Sequence, residues 1–250
     1  MRAASQDHDM YKFLLCFRYL STRWIGLVSV ISVMLGVGTM IVVNSVMFGF
    51  RTQMQSRMHG ILADVMVGGP DIYGFEDYQD IMKAIQDECG DKIRAMTPVI
   101  ESWGIINYDF GGGTRERHVT VIGVDPAGRA AVGEFRQHLL HPGNRENPEF
   151  KLRENAVDWQ QKHPERLMKK DRPEDVWPAA FVGYQIATTR IPGDKNRADH
   201  AILPPGSEFV LSTVAKGKTP KPVVQRYVVA DWFRCDMSEY DANMVFVPLE

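Results

Sequence analysis

The chain has 250 residues, of which 44% are apolar and 24% are charged, and its 29 Lys and Arg against 31 Asp and Glu give a formal net charge of -2. This composition excludes an intrinsically disordered chain, a collagen-like chain and a strongly basic nucleic-acid-binding protein. The charges are unevenly placed, because residues 24–50 carry none. An uncharged segment is therefore followed by a polar segment long enough for a globular domain.

The uncharged segment, from Trp24 to Phe50, predicts a transmembrane helix. As a helix it spans about 40 Å, whereas the hydrocarbon core of a bilayer is about 30 Å thick and core helices of soluble proteins seldom have so long an apolar run. A cleavable signal peptide has a shorter apolar region and small residues at its cleavage site. Phe48 and Arg51 stand where such a site would be expected. We therefore predict an uncleaved membrane anchor over residues 24–50.

Residues 1–23 predict the orientation of this anchor. Lys12, Arg18 and Arg23 precede the span, and basic residues favour the cytoplasmic side. Residues 10–20 are mostly apolar and include four aromatic side chains, which is typical of a helix at the headgroup level, with an extension of the transmembrane helix as the alternative. We expect residues 1–23 to be a cytoplasmic or interfacial amphipathic segment, and residues 61–250 to lie on the opposite side of the membrane.

Small residues recur along the predicted span and predict contact with other membrane helices. Ser32 and Gly36 are four residues apart, as are Ser45 and Gly49, which is the pattern that lets two helix backbones approach closely. The predicted helix-packing face comprises Gly26, Ser29, Ser32, Gly36, Ser45 and Gly49.

The helical pattern continues past the membrane, over residues 51–60. Phe50, Met54 and Met58 recur every four residues and predict an apolar stripe, and Gly60 is a typical helix stop. Such a helix extends roughly 20 Å beyond the bilayer core. We predict a stalk between the membrane and the globular domain.

Residues 61–250 predict a mixed α/β domain. The run Gly111 to Gly113 separates two alternating segments and predicts a hairpin turn. Residues 141–176 contain many charges of both signs and few apolar residues, which predicts a solvated insertion with some helix around 156–170. Apolar spacing predicts strands over 61–67, 99–108, 118–124, 208–213, 223–233 and 244–247, and helices over 76–88, 127–140 and 183–189.

The sequence predicts no catalytic, metal or cofactor site. It lacks the serine-hydrolase and zinc-protease motifs and has no paired CxxC. Residues 217–219 imitate the end of a phosphate-binding loop, but Ser212 stands where that motif needs glycine. His138 and His141 are three residues apart without a Cys or carboxylate pattern that would complete a metal site.

Two cysteines follow the predicted span, and the predicted orientation places both of them on the non-cytoplasmic side, where an oxidising environment permits disulfides. Spacing alone does not show whether Cys89 and Cys235 lie close together. A disulfide and two free thiols therefore both remain open at this point.

Several short motifs, in their order along the chain, resemble a known family. They are Leu-Gly-Val-Gly at 35–38, the apolar run at 41–50, Gly60, Val-Ile-Gly-Val-Asp-Pro at 121–126, Phe-Val-Gly at 181–183, Pro-Gly-Ser at 205–207, and the segments 238–241 and 245–250. In this order they resemble the first membrane helix, stalk and periplasmic domain of the lipoprotein-releasing ABC transporter permeases of the LolC/LolE type, within the MacB/FtsX-like superfamily.

The resemblance implies a membrane-anchored α+β protein: one N-terminal transmembrane helix extended into a stalk, then a mixed α/β MacB-like periplasmic domain. Family members continue beyond the position that matches Glu250 with three more transmembrane helices. The implied partners are a separate ABC ATPase subunit, a second permease subunit in a homo- or heterodimer, membrane lipid and a periplasmic lipoprotein carrier, with no nucleic acid. ATP hydrolysis belongs to the separate subunit, so the chain itself is expected not to be an enzyme.

The resemblance also suggests a candidate partner loop, formed by Lys218, Thr219, Pro220, Lys221 and Pro222. It follows the strand after which one of the two paralogous permeases has its carrier-recruiting hairpin. An ordinary solvated hairpin loop is the alternative, and the insertion at 141–176 has no counterpart in the family.

Two other functions are compatible with these patterns. One is a MacB-like efflux or FtsX-like regulatory permease that acts on a periplasmic partner. The other is a single-span protein that anchors a periplasmic binding or enzymatic domain.

Overall fold

The computed structural model describes residues 11–12, 14–15, 17–19, 24–61, 63–69, 74–75, 77–167, 177–190, 199–215 and 221–249. The chain divides into two units, Met1–Ser56 and Arg57–Glu250. The first unit is dominated by one helix, and the second is a mixed α/β domain.

Helix α1, Trp24–Ile61, has 38 residues. Its part from Trp24 to Gln55 is long and apolar enough to cross a membrane, and none of its most apolar window is buried within the chain. The prediction of one long apolar helix near the N-terminus is therefore confirmed. The helix continues past Phe50 without a break and ends at Ile61, one residue after Gly60.

The second unit is built around a closed six-stranded barrel. Its strands are β1 Val99–Phe110, β2 Gly113–Val124, β3 Ala179–Gly183, β6 Glu208–Ala215, β7 Lys221–Phe233 and β8 Met244–Pro248. They are arranged in the order β1-β2-β8-β3-β7-β6, and β6 closes the barrel on β1. The pairs β2–β8 and β3–β7 are parallel, whereas the other pairs are antiparallel. Two short strands, β4 Thr188–Arg190 and β5 Asp199–Ala201, form a separate antiparallel pair.

The second unit also contains several short helices. They are α2 Tyr78–Cys89, α3 Pro126–Val132, α4 Pro142–Glu146, α5 Glu154–Lys162, α6 Tyr184–Ala187 and α7 Ser238–Asp241, with 3-10 turns at Gly90–Lys92, Phe135–His138 and Pro164–Arg166. The mixed α/β class predicted from the sequence is therefore confirmed, while closure into a barrel was not predicted.

The β1–β2 hairpin shows how local sequence determines this architecture. Buried and exposed residues alternate along the middle of β1, with Ile106 and Tyr108 facing the core. The turn between the strands needs positive φ at two successive residues, and Gly111 and Gly112 have φ of 65° and 82°. The predicted hairpin is confirmed.

The core has two parts on opposite faces of the central strands. One fills the barrel, with Phe209, Leu211 and Val229 among its fully or almost fully buried side chains. The other is an aromatic cluster in which the ring of Phe135 lies 5.0 Å from Phe246 and 5.8 Å from Phe233. Strand β3 packs against both parts, so all of its residues are buried, as in a strand covered on both faces.

Three of the predicted elements differ from the structure. Residues 63–69 form no strand, because Val65 and Met66 are exposed and pair with no neighbouring strand among the described residues. The predicted helix 127–140 breaks after Val132, where Gly133 adopts an extended conformation. The predicted helix 183–189 is reduced to one turn, since its β-branched end continues into strand β4.

In the described part of the predicted solvated insertion at 141–176, most residues are exposed or partly exposed, but a few are buried. Asn144 and Ala156, in α4 and α5, are completely buried. The many charges at the surface concealed these few buried anchors. The predicted helix around 156–170 is α5, Glu154–Lys162, and residues 168–176 lie outside the described residues.

Cys89 and Cys235 do not form a disulfide. Cys89 is an exposed free thiol, whereas Cys235 is a buried free thiol. The disulfide alternative is thereby excluded.

Candidate functional site

The apolar helix α1 holds all six residues of the predicted packing face. A Cβ atom added at Gly36 or Gly49 would meet no atom within 4 Å, so nothing in the described chain packs against these positions. Glycine within a helix costs about 1 kcal/mol relative to alanine. Since no contact inside the described chain compensates for this cost, small residues here are best explained by a neighbour outside the chain.

The small residues of α1 do not form one face. With about 100° of rotation per residue, the pair Ser32 and Gly36 lies about 140° around the helix axis from the pair Ser45 and Gly49. The predicted single face is therefore two faces, one nearer each end of the apolar part. Such a helix is suited to contact with two different neighbours.

Two threonine hydroxyls within α1 donate hydrogen bonds to the backbone of the same helix. The hydroxyl of Thr39 donates to the carbonyl oxygens of Leu35 and Gly36, at 2.9 Å each, and the hydroxyl of Thr52 donates to that of Phe48 at 2.9 Å. These bonds allow a hydroxyl to enter an environment without water. The geometry thus fits a helix in lipid.

The stalk residues are only partly described. Phe50 and Met54 are 60% and 37% exposed. Met58 belongs to α1, but its side chain lies outside the described residues. The structure therefore places the three positions on one continuous helix and describes two of their side chains.

The candidate partner loop is divided by the start of β7. Lys218, Thr219 and Pro220 lie outside the described residues. Lys221 and Pro222 are exposed residues of β7, opposite Ala215 and Val214 of β6. These two residues consequently belong to a paired strand and not to a loop. The pairing of β6 with β7 extends two residues beyond the apolar segments from which the strands 208–213 and 223–233 were predicted.

An exposed apolar surface near this hairpin was missed by the sequence reasoning. Trp103 of β1 is 84% exposed, Val214 of the adjacent strand β6 is 50% exposed, and Val224 of β7, which pairs with β6, is 65% exposed. Because Gly104 and Ile106 face the core, strand alternation places Trp103 on the outside. The alternation of apolar and polar residues in β1 was therefore the sequence signal from which the exposed position of Trp103 could have been predicted.

The barrel and the insertion are joined by a buried polar network. One carboxylate oxygen of Asp231 in β7 accepts from the amide Nδ2 of Asn144 at 2.9 Å and from the backbone N–H of His141 at 2.9 Å. Arg153 donates from Nε to the amide Oδ1 of Asn144 at 2.8 Å. These bonds fix the orientation of Asn144 and attach α4 to the barrel.

The remaining candidates for chemistry have structural partners. The backbone N–H of Gly143 donates to Nδ1 of His141 at 3.1 Å, and Nδ1 of His138 lies 3.3 Å from the carbonyl oxygen of Arg234. Burial, together with the hydrogen bond to Asp241, raises the pKa of the Cys235 thiol to about 12. A thiol that stays protonated is a poor nucleophile. Among the described residues, no group of three or more His, Cys, Asp or Glu could hold a metal ion.

In comparisons with known proteins, no family model matches the chain and no curated protein matches it.

Proposed function

We propose that this chain is the N-terminal part of a permease subunit of an ATP-driven transporter of the lipoprotein-releasing type. In this proposal α1 crosses the inner membrane from a cytoplasmic N-terminus, and residues 61–250 form a MacB-like periplasmic domain. The subunit works with a separate ATPase and a second permease subunit. The order of the family-like motifs supports the choice of transporter class.

The observation that carries this proposal is the pair of open small-residue faces on α1. A helix that only anchors a domain needs no glycine where nothing packs, and its stability is higher without glycine. Two faces about 140° apart fit a helix that lies between neighbours in a multi-helix membrane assembly. The neighbours would be the remaining helices of the same subunit and those of the second permease.

In the same proposal the polar end of α1 transmits motion. The helix extends from the apolar part to Ile61 without interruption, so a displacement at the membrane is passed on over that length. The exposed apolar surface of Trp103, Val214 and Val224 supplies a place at which the barrel contacts a protein partner.

The test uses the full-length subunit expressed with its partner subunits. Gly36→Leu should reduce co-purification of the partners strongly, because a large side chain holds a neighbouring helix away. Val37→Leu is the matched control, since Val37 is the next residue and lies about 100° around the helix. Equal co-purification with both variants would contradict the packing claim. A wild-type chain that purifies alone would favour the single-span alternative.

A further inference from the structure

A polar cleft of about 500 Å³ lies at one side of the barrel unit, where β2, α6, β4, β5 and the segment after β7 meet. The cleft is mainly polar and partly open to solvent. Three arginines and three aspartates are among the residues that line it: Arg117, Arg190, Arg234, Asp199, Asp236 and Asp241.

Two of the arginines are each held through one nitrogen. Arg190 donates from Nε to an Asp199 oxygen at 2.8 Å, and Arg234 donates from Nε to an Asp236 oxygen at 2.7 Å. The terminal Nη groups of Arg190 and Arg234 have no hydrogen-bond partner among the described residues. The Nε contacts restrain the two guanidinium planes, so their Nη donors are preorganised for a ligand.

The third arginine comes from a different strand. Arg117 of β2 donates from Nη1 to the carbonyl oxygen of Gln185 at 3.0 Å. Three guanidinium groups from separate elements thus border one cleft. Because a carboxylate has only two oxygens, three such groups are better matched by the oxygens of a phosphate.

Tyr184 connects the two ion pairs. Its ring lies under the guanidinium of Arg234, with the guanidinium carbon 4.9 Å from the ring centre, and its hydroxyl donates to the second oxygen of Asp199 at 3.2 Å. Hydrogen bonding and charge from Arg190 lower the pKa of Asp199, so this carboxylate is ionised at neutral pH. Burial and the negative charge of Asp199 raise the pKa of Tyr184, which keeps its hydroxyl a donor.

The balance of charge decides the class of ligand. A simple anion would meet the carboxylates of Asp199 and Asp236 beside the arginines, and a simple cation would meet the arginines. We infer that the cleft binds a small zwitterion, with a phosphate on the guanidinium groups of Arg117, Arg190 and Arg234 and an ammonium group on the carboxylate of Asp199. An ionised carboxylate has about four acceptor positions, so Asp199 can accept from such a group in addition to its two present donors.

A phosphate joined to an ammonium group is found in a soluble phosphoethanolamine-like monoester, which has three terminal phosphate oxygens, and in the headgroup of phosphatidylethanolamine, a diester that has two. The inference is independent of the proposed transport function, because it depends only on residues of the barrel unit.

The test is calorimetric titration of O-phosphoethanolamine into the full chain in phosphatidylglycerol nanodiscs. Saturable binding is expected, and Arg190→Gln and Arg234→Gln should each weaken it about tenfold, the usual cost of one charged hydrogen-bond contact. Arg115→Gln is the matched control, since Arg115 is an exposed arginine of β2 that does not line the cleft. Glycerol 3-phosphate, which has no ammonium group, should bind about tenfold more weakly than phosphoethanolamine.

Repeating the titration in nanodiscs that contain phosphatidylethanolamine distinguishes the two sources. Weaker apparent binding of the free compound would identify the lipid headgroup as the competitor, and unchanged binding would identify a soluble ligand; both results support the site. The inference is wrong if phosphoethanolamine does not saturate, if glycerol 3-phosphate binds equally well, or if Arg115→Gln has the same effect as the cleft variants. Near-ultraviolet circular dichroism checks that the exposed-residue variants remain folded.

Discussion

Asp231 is a carboxylate almost completely removed from water, with 2% of its surface exposed. It accepts hydrogen bonds from Asn144, from the backbone of His141 and from the backbone of Trp232. Burial raises the pKa of Asp231 above 3.8 in spite of these bonds, which act in the opposite direction. The hydrogen bonds of Asp231 therefore attach the insertion to β7, while its burial disfavours the ionised form of the carboxyl group.

The sign of this shift gives a prediction about pH. The folded chain binds the Asp231 proton more tightly than the unfolded chain does, so this residue's contribution to the free energy of unfolding falls as pH rises from about 3.8 through the raised pKa. Asp231→Asn should remove that component. Urea denaturation of both proteins over this pH range gives their free energies of unfolding. The value for the wild type minus the value for the variant should decrease as pH rises.

Asp199→Asn is the control of opposite sign. The pKa of Asp199 is lowered, so its contribution is present above about 3.8 and is lost as pH falls through the lowered value. If the difference in free energy of unfolding between the wild type and Asp231→Asn does not change with pH, burial does not raise the pKa of Asp231.

At the scale of elements, sequence patterns predicted the features that depend on neighbours in the chain. The β1–β2 hairpin was predictable because both the alternation and the glycines of its turn are local. The burial of α4 was not predictable, because Asn144 is held by Asp231, 87 residues farther along the chain. The outward position of Trp103 could have been inferred from alternation once Ile106 was assigned to the core.

The polar end of α1 leads to a prediction about force transmission. Inserting Gly-Gly after Gln55 should cost about 2 kcal/mol of helix stability and rotate the stripe of Phe50 and Met54 by about 200° relative to the helical residues after the insertion. For the transporter proposed above, we expect ATP hydrolysis to persist while cargo release falls. Release of a labelled lipoprotein and phosphate production, measured in the same proteoliposomes, check this.

An Ala-Ala insertion at the same place separates the two effects, because it produces the same rotation without the loss of helix stability. If release is unchanged in both variants, α1 is a tether and the lever interpretation is wrong. If only Gly-Gly reduces release, rigidity matters and the orientation of the stripe does not.

At the scale of the whole molecule, the division into a long apolar helix and a polar α/β unit was visible in the distribution of charge. Closure of the barrel was not, because it depends on pairs such as Gly104 with Thr213, which are far apart in sequence. The polar cleft was equally hidden. Its arginines come from three separate elements, and no short motif joins them.

Orientation across the membrane can be tested with the native cysteines. Cys89 is exposed, whereas the Cys235 thiol is buried with a pKa of about 12 and should not react. In a Cys16→Ser background, a membrane-impermeant maleimide added to spheroplasts should label the chain at Cys89, because the proposed orientation places it outside the inner membrane. Peptide mass spectrometry locates the label, and Cys89→Ser is the control.

Labelling of Cys89 only after the membrane is lysed would reverse the orientation and remove the transporter proposal. Labelling of Cys235 in the folded chain at a comparable rate would contradict its burial.

The order of strands in the barrel also determines when the domain can fold during its synthesis. The last strand, β8, lies between β2 and β3, and β7 and β6 complete the circle behind them. Before Met244–Pro248 has been synthesised, one edge of β2 and one edge of β3 have no partner strand. Unpaired strand edges are prone to wrong pairing. The barrel therefore cannot be completed one hairpin at a time as the ribosome proceeds. Its final closure has to wait until nearly all of the residues up to Pro248 have been made.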